Sequence, residues 1–215
     1  MTTNEYEEDE TIKKPKYFCP EPETLIFCSP PVDHSFKKLS DLASYTGSSK
    51  KPRVCRLGRL PDRSSNNRFI SRSLWLNNNR LKNLTDLYPF VEKFFDQPEA
   101  LGWLDLSFNE FCDVSPEILK FPNLRILYLH GNKIKALTPL ATLRDVPTLR
   151  YLTLRGNPVE KILAYRLLVI ALLPQLISLD YALITDYERG TRIPECAGKK
   201  IIDQYRPQAK HKKSF

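Results

Sequence analysis

The sequence predicts an α/β solenoid, in which short parallel strands form a concave sheet and helical or irregular segments return along the convex side. Three observations support this prediction. A leucine pattern recurs four times in the middle of the chain, and an asparagine follows the leucines at the same place in each copy. The spacers between copies carry either apolar residues at helical spacing or short turn sequences. With 215 residues, the chain has room for one domain and its appendages.

The four copies align on their asparagines. They read "SLWLNNNRLKNL", "LGWLDLSFNEFCDV", "LRILYLHGNKIKAL" and "LRYLTLRGNPVEKI", and a partial fifth copy, "LISLDYALIT", lacks the asparagine. The shared pattern L-x-x-L-x-L-x-x-N-x-L is the leucine-rich repeat signature. A short asparagine side chain can pair the backbone groups of a turn, so stacked copies should form a structural asparagine ladder. The ladder residues are Asn79, Asn109, Asn132 and Asn157.

Each copy predicts one strand and one return segment. Leucines that alternate with other residues are typical of a strand with one buried face. The longest return, residues 84–100, spaces its apolar residues as a helix does, whereas the shorter returns have room for one or two turns. The apolar run after Asn157 predicts a helical cap at the C-terminal end of the stack.

Charge and composition divide the chain into three parts. Residues 1–70 hold seven prolines and no repeat, with an acidic start and a basic stretch near residues 50–68, and are predicted to form an extended, largely irregular arm. Residues 71–195 hold four repeats and a capping half-repeat, and residues 196–215 form a basic tail. Lys and Arg outnumber Asp and Glu by 12 to 10 in residues 1–70, 14 to 13 in 71–190 and 7 to 2 in 191–215. The basic flanks therefore favour acidic partners.

Side chains between the motif leucines should point away from the core, because neighbouring strand residues face opposite sides of a sheet. This alternation places both tryptophans of the protein on the concave face. Exposed aromatic rings commonly anchor protein interfaces, so the sequence predicts a partner-binding surface there; packing of the rings against one another or under the N-terminal segment is the alternative. The predicted residues are Trp75, Trp103, Asp105, Phe108, Tyr128, His130, Tyr151 and Arg155.

Motifs for catalysis, cofactors or metals are missing from the sequence. The histidines His34, His130 and His211 do not have metal-ligand spacing, and the chain has neither a nucleophile elbow nor a glycine-rich phosphate loop. The five cysteines are scattered and predict reduced thiols rather than a disulfide framework. The polar, acidic start and the interrupted apolar run predict neither a signal peptide nor a membrane span. We therefore expect a cytoplasmic, non-enzymatic protein without a cofactor.

The sequence resembles the family of leucine-rich repeat-containing protein 51 in five segments. They are "PPVDHSF" at residues 30–36 and, in the repeats, "RSLWLNNNRLKNL", "LDLSFNEF", "LYLHGNKI" and "LTLRGNPV". The resemblance covers residues 30–190 and excludes the outer flanks. It implies a non-enzymatic protein of ciliated cells, with a place in the axoneme and protein partners that are associated with microtubules or dynein. Acidic tubulin tails would suit the basic flanks.

Two other functions remain open from the sequence. A regulatory subunit of a protein phosphatase would form a soluble one-to-one complex with the phosphatase and would have a concave face rich in acidic and aromatic contacts. A protein subunit of a ribonucleoprotein would be released from its complex when RNA is removed. No RNA-reading motif is visible, so direct nucleic-acid binding is not expected.

Overall fold

The computed structural model describes residues 30–43, 45 and 60–193. Its centre is a seven-stranded sheet whose strands follow one another in chain order. The first six strands are parallel, and the last pairs antiparallel with the sixth. The sequence prediction of a leucine-rich repeat solenoid with a parallel sheet is confirmed.

The strands are short because each repeat contributes only the residues around its central leucine. In chain order they are β1 (Val32–Asp33), β2 (Ser73–Trp75), β3 (Trp103–Asp105), β4 (Ile126–Tyr128), β5 (Tyr151–Thr153), β6 (Ser178–Leu179) and β7 (Ala182–Leu183). The central leucines pair in register across the stack and are almost completely buried. They are Leu74, Leu104, Leu127, Leu152 and Leu179. Each fully buried leucine side chain stabilises the fold by about 1.5–3 kcal/mol, and a single repeat has no second layer to bury it against.

Return segments on the convex side differ in length, as the spacers predict. The long first return contains helix α1 (Leu87–Phe94), which buries Leu87, Phe90 and Val91 against the leucine core. The end of the first return and the later returns contain 3₁₀ helices with a proline in the first turn, which fits because a proline lacks the N–H that an initial helical position cannot use. The 3₁₀ helices span Pro98–Ala100, Pro116–Lys120, Thr138–Asp145 and Pro158–Lys161.

The structure corrects the prediction that residues 1–70 form an arm outside the repeat domain. Residues 30–43 and Tyr45 are packed onto the domain: β1 is the first strand of the sheet, and Leu39, Leu42 and Tyr45 lie in the common core. Asn79 holds this segment, because its Oδ1 accepts hydrogen bonds from the backbone N–H groups of Lys37 (2.9 Å) and Leu39 (3.1 Å). The folded domain therefore begins well before residue 71.

Residues 32–39 form a hidden half-repeat. Strand register through β2 makes "VDHSFKKL" equivalent to the repeat "LDLSFNEF", with Asp33 at the position of Asp105. Both aspartates accept hydrogen bonds from the backbone N–H and the hydroxyl of the serine two residues later. Phe36 and Phe108 both have left-handed backbones, with φ of 58° and 52°. The leucine pattern misses this copy because histidine and lysine replace the second leucine and the asparagine.

Part of the remaining predicted arm is also folded. Phe69 is buried, pairs with Arg63 in an antiparallel bridge and with Phe95 in a parallel one. The Arg63 guanidinium lies 4.0 Å from the centre of the Phe69 ring. The acidic start, most of the basic stretch and the predicted basic tail at 196–215 lie outside the described residues.

The C-terminal end of the stack is covered by helix α2 (Tyr165–Leu172), the β6–β7 hairpin and helix α3 (Asp186–Gly190). Arg166 joins them, because its guanidinium donates to the carbonyls of Leu179 and Leu183 and pairs with Glu188 at 2.6 Å. This arrangement covers the last apolar layer of the stack, and helix α2 buries Tyr165, Leu168, Val169, Ile170 and Leu172 against it.

Candidate partner-binding surface

The ladder asparagines hold the turns that carry the concave surface. Each donates through Nδ2 to carbonyls in its own repeat and in the preceding one, and accepts through Oδ1 from a backbone N–H of the preceding repeat. All are buried; they are Asn79, Asn109, Asn132 and Asn157. Each turn is therefore fixed to its neighbour, and the spacing of the surface side chains is fixed with it.

Five of the eight residues predicted for the concave face lie at outward positions of the strands. Trp75, Asp105 and Tyr128 occupy one row across β2, β3 and β4, whereas Trp103 and Tyr151 occupy the row one side-chain step away. All five are half-buried. The other three, Phe108, His130 and Arg155, lie in the turns directly after the strands.

The aromatic rings form a continuous chain of edge-to-face contacts. Ring centres of Trp75 and Trp103 are 5.4 Å apart, and those of Trp103 and Tyr128 are 5.6 Å apart. His130 lies 5.9 Å from Tyr128 and 5.1 Å from Phe108. Such pairs contribute about 0.5–1.5 kcal/mol each beyond the area they bury. The rings thus pack against one another, as the alternative interpretation expected, and still remain partly open to solvent.

Tyr181 belongs to this surface although the repeat pattern assigned it to the core. Its ring centre lies 5.6 Å from Tyr128 and 5.9 Å from His130, and the residue is 63% exposed. Asp180 and Tyr181 both have left-handed backbones, with φ of 54° and 66°, which turns the chain into β7 and moves the tyrosine out of the strand alternation. The loss of the asparagine from this fifth copy was the sequence signal that the turn would differ.

Phe108 sits at a backbone position that disfavours large side chains. The residue before the ladder asparagine is left-handed in all four repeats, and the other copies place Asn78, Gly131 and Gly156 there. The Phe108 ring covers Gly131 so closely that a Cβ on that glycine would lie 2.6 Å from Phe108 Cδ1. Phe108 is nevertheless 53% exposed. A large apolar ring is therefore held over the rim of the concave surface.

The middle of the concave surface is acidic. Asp33, Trp75 and Asp105 are register partners on adjacent strands, so the strand position of the tryptophan is flanked by an aspartate on each side. Burial raises the pKa of Asp105; the hydrogen bonds from Ser107 and, where the ring is protonated, the charge of His130 oppose the rise, and the charge of Asp33 adds to it. Burial also lowers the pKa of His130 and raises that of Tyr128 to about 12, so both rings are neutral at pH 7.

At the C-terminal edge of the concave surface, Arg155 and Asp180 already have partners within the protein. Arg155 lies 3.8 Å from Glu160, and its backbone N–H donates to Asp180 Oδ1 at 2.9 Å. The second carboxylate oxygen of Asp180 accepts from the Tyr165 hydroxyl at 2.9 Å. Burial raises the pKa of Tyr165, and the charge and the hydrogen bond of Asp180 add to the rise. Arg155 is therefore an edge residue of the surface rather than part of its aromatic centre.

Within residues 30–43, 45 and 60–193, no group of His, Cys, Asp and Glu side chains is arranged to hold a metal ion. In the same part of the chain, none of the helices combines the length and apolar character that crossing a bilayer requires. What the arrangement provides is an aromatic, acidic, solvent-facing sheet, which suits recognition of another molecule.

One strand per repeat, a shared leucine core and an asparagine ladder define a leucine-rich repeat domain, the class of protein-interaction scaffolds. The leucine-rich repeat family model matches residues 76–204. Leucine-rich repeat-containing protein 51 of Rattus norvegicus is 39% identical over 163 residues, which are 75% of this chain and 82% of the relative. The chain belongs to the leucine-rich repeat-containing protein 51 family.

Two more distant similarities are to a ribonucleoprotein subunit and to a chain of a solved complex. U2 small nuclear ribonucleoprotein A' of Arabidopsis thaliana is 28% identical over 167 residues, covering 77% of this chain and 60% of the relative. The crystal structure of the Drosophila melanogaster SNF/U2A' complex contains a chain that aligns with a TM-score of 0.52 at 22% identity, over 86% of this chain and 91% of that one. The structural similarity establishes a shared fold.

Proposed function

We propose that this protein is a non-enzymatic adaptor of the ciliary or flagellar axoneme, and that its concave surface binds a helix or loop of an axonemal protein. The observation that carries the binding role is the chain of aromatic rings on the open face of the sheet. Protein interfaces are enriched in tryptophan and tyrosine, which bury a large area with few rotatable bonds. The ladder and the register hold these rings in place before a partner arrives, so little ordering cost remains.

The axonemal location is supported by the family resemblance and by charge. The basic surplus lies in the flanks, at residues 50–68 and 196–215, while residues 71–190 are nearly neutral. Basic flanks would tether the protein to an acidic polymer such as the microtubule surface, while the concave surface selects a specific partner.

Loss of two rings tests the binding role. We expect Trp75→Ala combined with Trp103→Ala to abolish capture of partners from axonemal extracts, because hot-spot aromatic residues each contribute about 2 kcal/mol or more. Leu119→Ala combined with Leu163→Ala is the matched control, since both leucines are exposed outside the concave surface. Circular dichroism checks the folding of both proteins. Unchanged capture by a folded tryptophan variant would refute the proposal.

Fractionation tests the location. A tagged protein in ciliated cells should stay with axonemes after detergent removes the membranes, and rising salt should release it, because salt screens exposed charges over about 8 Å at physiological ionic strength. A variant with the basic residues of 196–215 replaced by glutamine should be released from axonemes at a lower salt concentration than the unchanged protein. A wholly soluble or nuclear protein would contradict the axonemal proposal.

A ribonucleoprotein role is the second candidate, because the similarity to U2 small nuclear ribonucleoprotein A' extends over 77% of this chain. It predicts a nuclear complex from which ribonuclease releases the protein. Retention in ribonuclease-treated axonemes, together with absence from nuclear extracts, would separate the two roles.

A further inference from the structure

We propose that the concave surface recognises a basic segment of its partner, and that a cationic side chain, arginine above all, binds over Trp75 between Asp33 and Asp105. This inference specifies the partner of the proposed function and rests on it. The juxtaposition that carries it is the row Asp33–Trp75–Asp105–Tyr128, set by the register of β1 to β4.

The charge of the open sheet has one sign. Across the parallel strands β1 to β6, in the part of the chain that the structure describes, the charged residues are Asp33 and Asp105, and both are acidic. The whole chain has a formal net charge of +8, so this surface is opposite in sign to the molecule that carries it. A basic partner segment is therefore attracted to the concave surface, whereas an acidic segment is repelled from its centre.

The two carboxylates are held in place and only partly used. Oδ1 of Asp33 accepts from the backbone N–H and the hydroxyl of Ser35 at 2.8 and 2.6 Å. Oδ1 of Asp105 accepts in the same way from Ser107 at 2.9 and 2.6 Å. Among residues 30–43, 45 and 60–193, neither Oδ2 has a hydrogen bond or an ion pair to a protein group. Asp33 is 6% exposed and Asp105 is half-buried. The serines fix the orientation of both carboxylates, and each Oδ2 keeps its capacity to accept from a ligand.

The spacing suits one cation. Neighbouring strands lie about 4.8 Å apart, so the backbones of the two aspartates are separated by roughly 10 Å, with the backbone of Trp75 between them. A guanidinium over this indole would meet a negative ring face and would have a carboxylate on each side. Cations are attracted to tryptophan faces within about 6 Å of the ring centre, and planar guanidinium groups pair well with carboxylates. Tyr128 extends the aromatic floor beyond Asp105, 5.6 Å from Trp103.

The rim adds an apolar contact for the same partner. Phe108 and Tyr181 are 53% and 63% exposed and lie around His130, which is neutral at pH 7. A segment that places a basic residue on the central row would lay its apolar side chains against these rings. The preferred occupant is therefore an amphipathic basic helix.

Intrinsic fluorescence tests this proposal on the full chain, because both tryptophans of the protein lie on the proposed surface. The probes are alanine-based helical peptides of about 17 residues that carry arginine, its neutral isostere citrulline, or glutamate at every fourth position. We expect the arginine peptide to change the tryptophan emission and to bind at least about tenfold more tightly than the citrulline peptide. The glutamate peptide should not bind.

Asp33→Asn combined with Asp105→Asn removes the charges but keeps an Oδ1 that can accept from the serines. This variant should fold normally and lose the preference for arginine over citrulline. Glu92→Gln combined with Asp145→Asn is the control, because it removes two exposed acidic charges from the convex side and should leave the preference unchanged.

Three outcomes would overturn the proposal: equal binding of the arginine and citrulline peptides, an unchanged preference in the Asp33–Asp105 variant, or no binding of the arginine peptide at millimolar concentration. Failure of this proposal is distinguishable from failure of the proposed function. If the double tryptophan variant still loses capture of axonemal partners while peptide charge has no effect, the surface binds protein but does not select a cation.

Discussion

Replacement of Asn132 by alanine should lower the free energy of unfolding by about 2–4 kcal/mol. Oδ1 of Asn132 accepts from the Phe111 backbone N–H at 3.0 Å, and Nδ2 donates to the carbonyls of Leu106 and Leu129 at 3.0 and 2.9 Å. Asn132 is 5% exposed and Phe111 1%, so water cannot replace the lost side chain without a local opening.

The three lost hydrogen bonds are not equal. The carbonyls of Leu106 and Leu129 each keep another hydrogen bond, because Asn109 also donates to the Leu106 carbonyl and Asn157 also donates to the Leu129 carbonyl. The Phe111 N–H has no other acceptor among the described residues. An orphaned buried donor costs about 1–3 kcal/mol, and the weakened carbonyls add roughly 1 kcal/mol. The sum is a large share of the about 5–15 kcal/mol that stabilises a typical domain.

Urea unfolding followed by far-ultraviolet circular dichroism and tryptophan fluorescence measures this loss. Asn123→Ala is the control, because Asn123 is exposed and donates one surface hydrogen bond, to the Glu99 carbonyl; we expect it to cost less than about 1 kcal/mol. Asn132→Asp keeps the acceptor but replaces the donor with a carboxylate oxygen that faces two carbonyls, so it should be at least as destabilising as alanine. Equal stability of the Asn132→Ala and Asn123→Ala proteins would refute the reasoning.

Two further predictions concern Gly131 and His34. Gly131→Ala places a Cβ 2.6 Å from the Phe108 ring on a backbone with φ of +69°, so it should cost about 2 kcal/mol or more; in a Phe108→Ala background only the backbone term of about 1–2 kcal/mol should remain. Equal costs in the two backgrounds, measured by urea unfolding, would exclude a clash. Burial lowers the pKa of His34 from 6.5 to about 4, with a smaller contribution from Lys37. Between these pH values the unfolded chain binds a proton that the folded chain does not. The free energy of unfolding therefore keeps its full value above pH 6.5 and decreases as the pH is lowered toward 4, by up to about 1.4 kcal/mol per pH unit. His34→Leu, which supplies the leucine of the repeat pattern, should remove this part of the slope; parallel curves for the two proteins would contradict the assignment.

Leu74 and its equivalents show what periodicity can predict. A leucine that alternates with polar or aromatic residues has to face a core, and a motif with a fixed asparagine has to turn at the same point in every copy. The repeat pattern alone could predict the strands, their parallel order and the first helix. It could also predict the outward direction of Trp75 and Trp103. Local spacing sufficed because each repeat of a solenoid contacts only itself and its immediate neighbours.

His34 and Tyr181 show what periodicity could not predict. His34 occupies a leucine position and lies among the rings of Tyr45, Phe90 and Phe94, with the Tyr45 hydroxyl 3.1 Å from its Nδ1. Tyr181 leaves the repeat because two left-handed residues turn the chain. Neither feature has a sequence period, since each depends on which groups from distant segments meet.

The sequence by itself therefore determined the solenoid, the faces of its strands and the family to which it belongs. The tertiary structure decided that the eight residues 32–39 complete the stack as a half-repeat without an asparagine, because Asn79 of the next copy supplies the missing hydrogen bonds. It also decided that Asp33 stands beside Trp75, forty-two residues away in the chain. Leucine burial follows a local rule, whereas an acidic pair around one indole exists only after β1, β2 and β3 have paired.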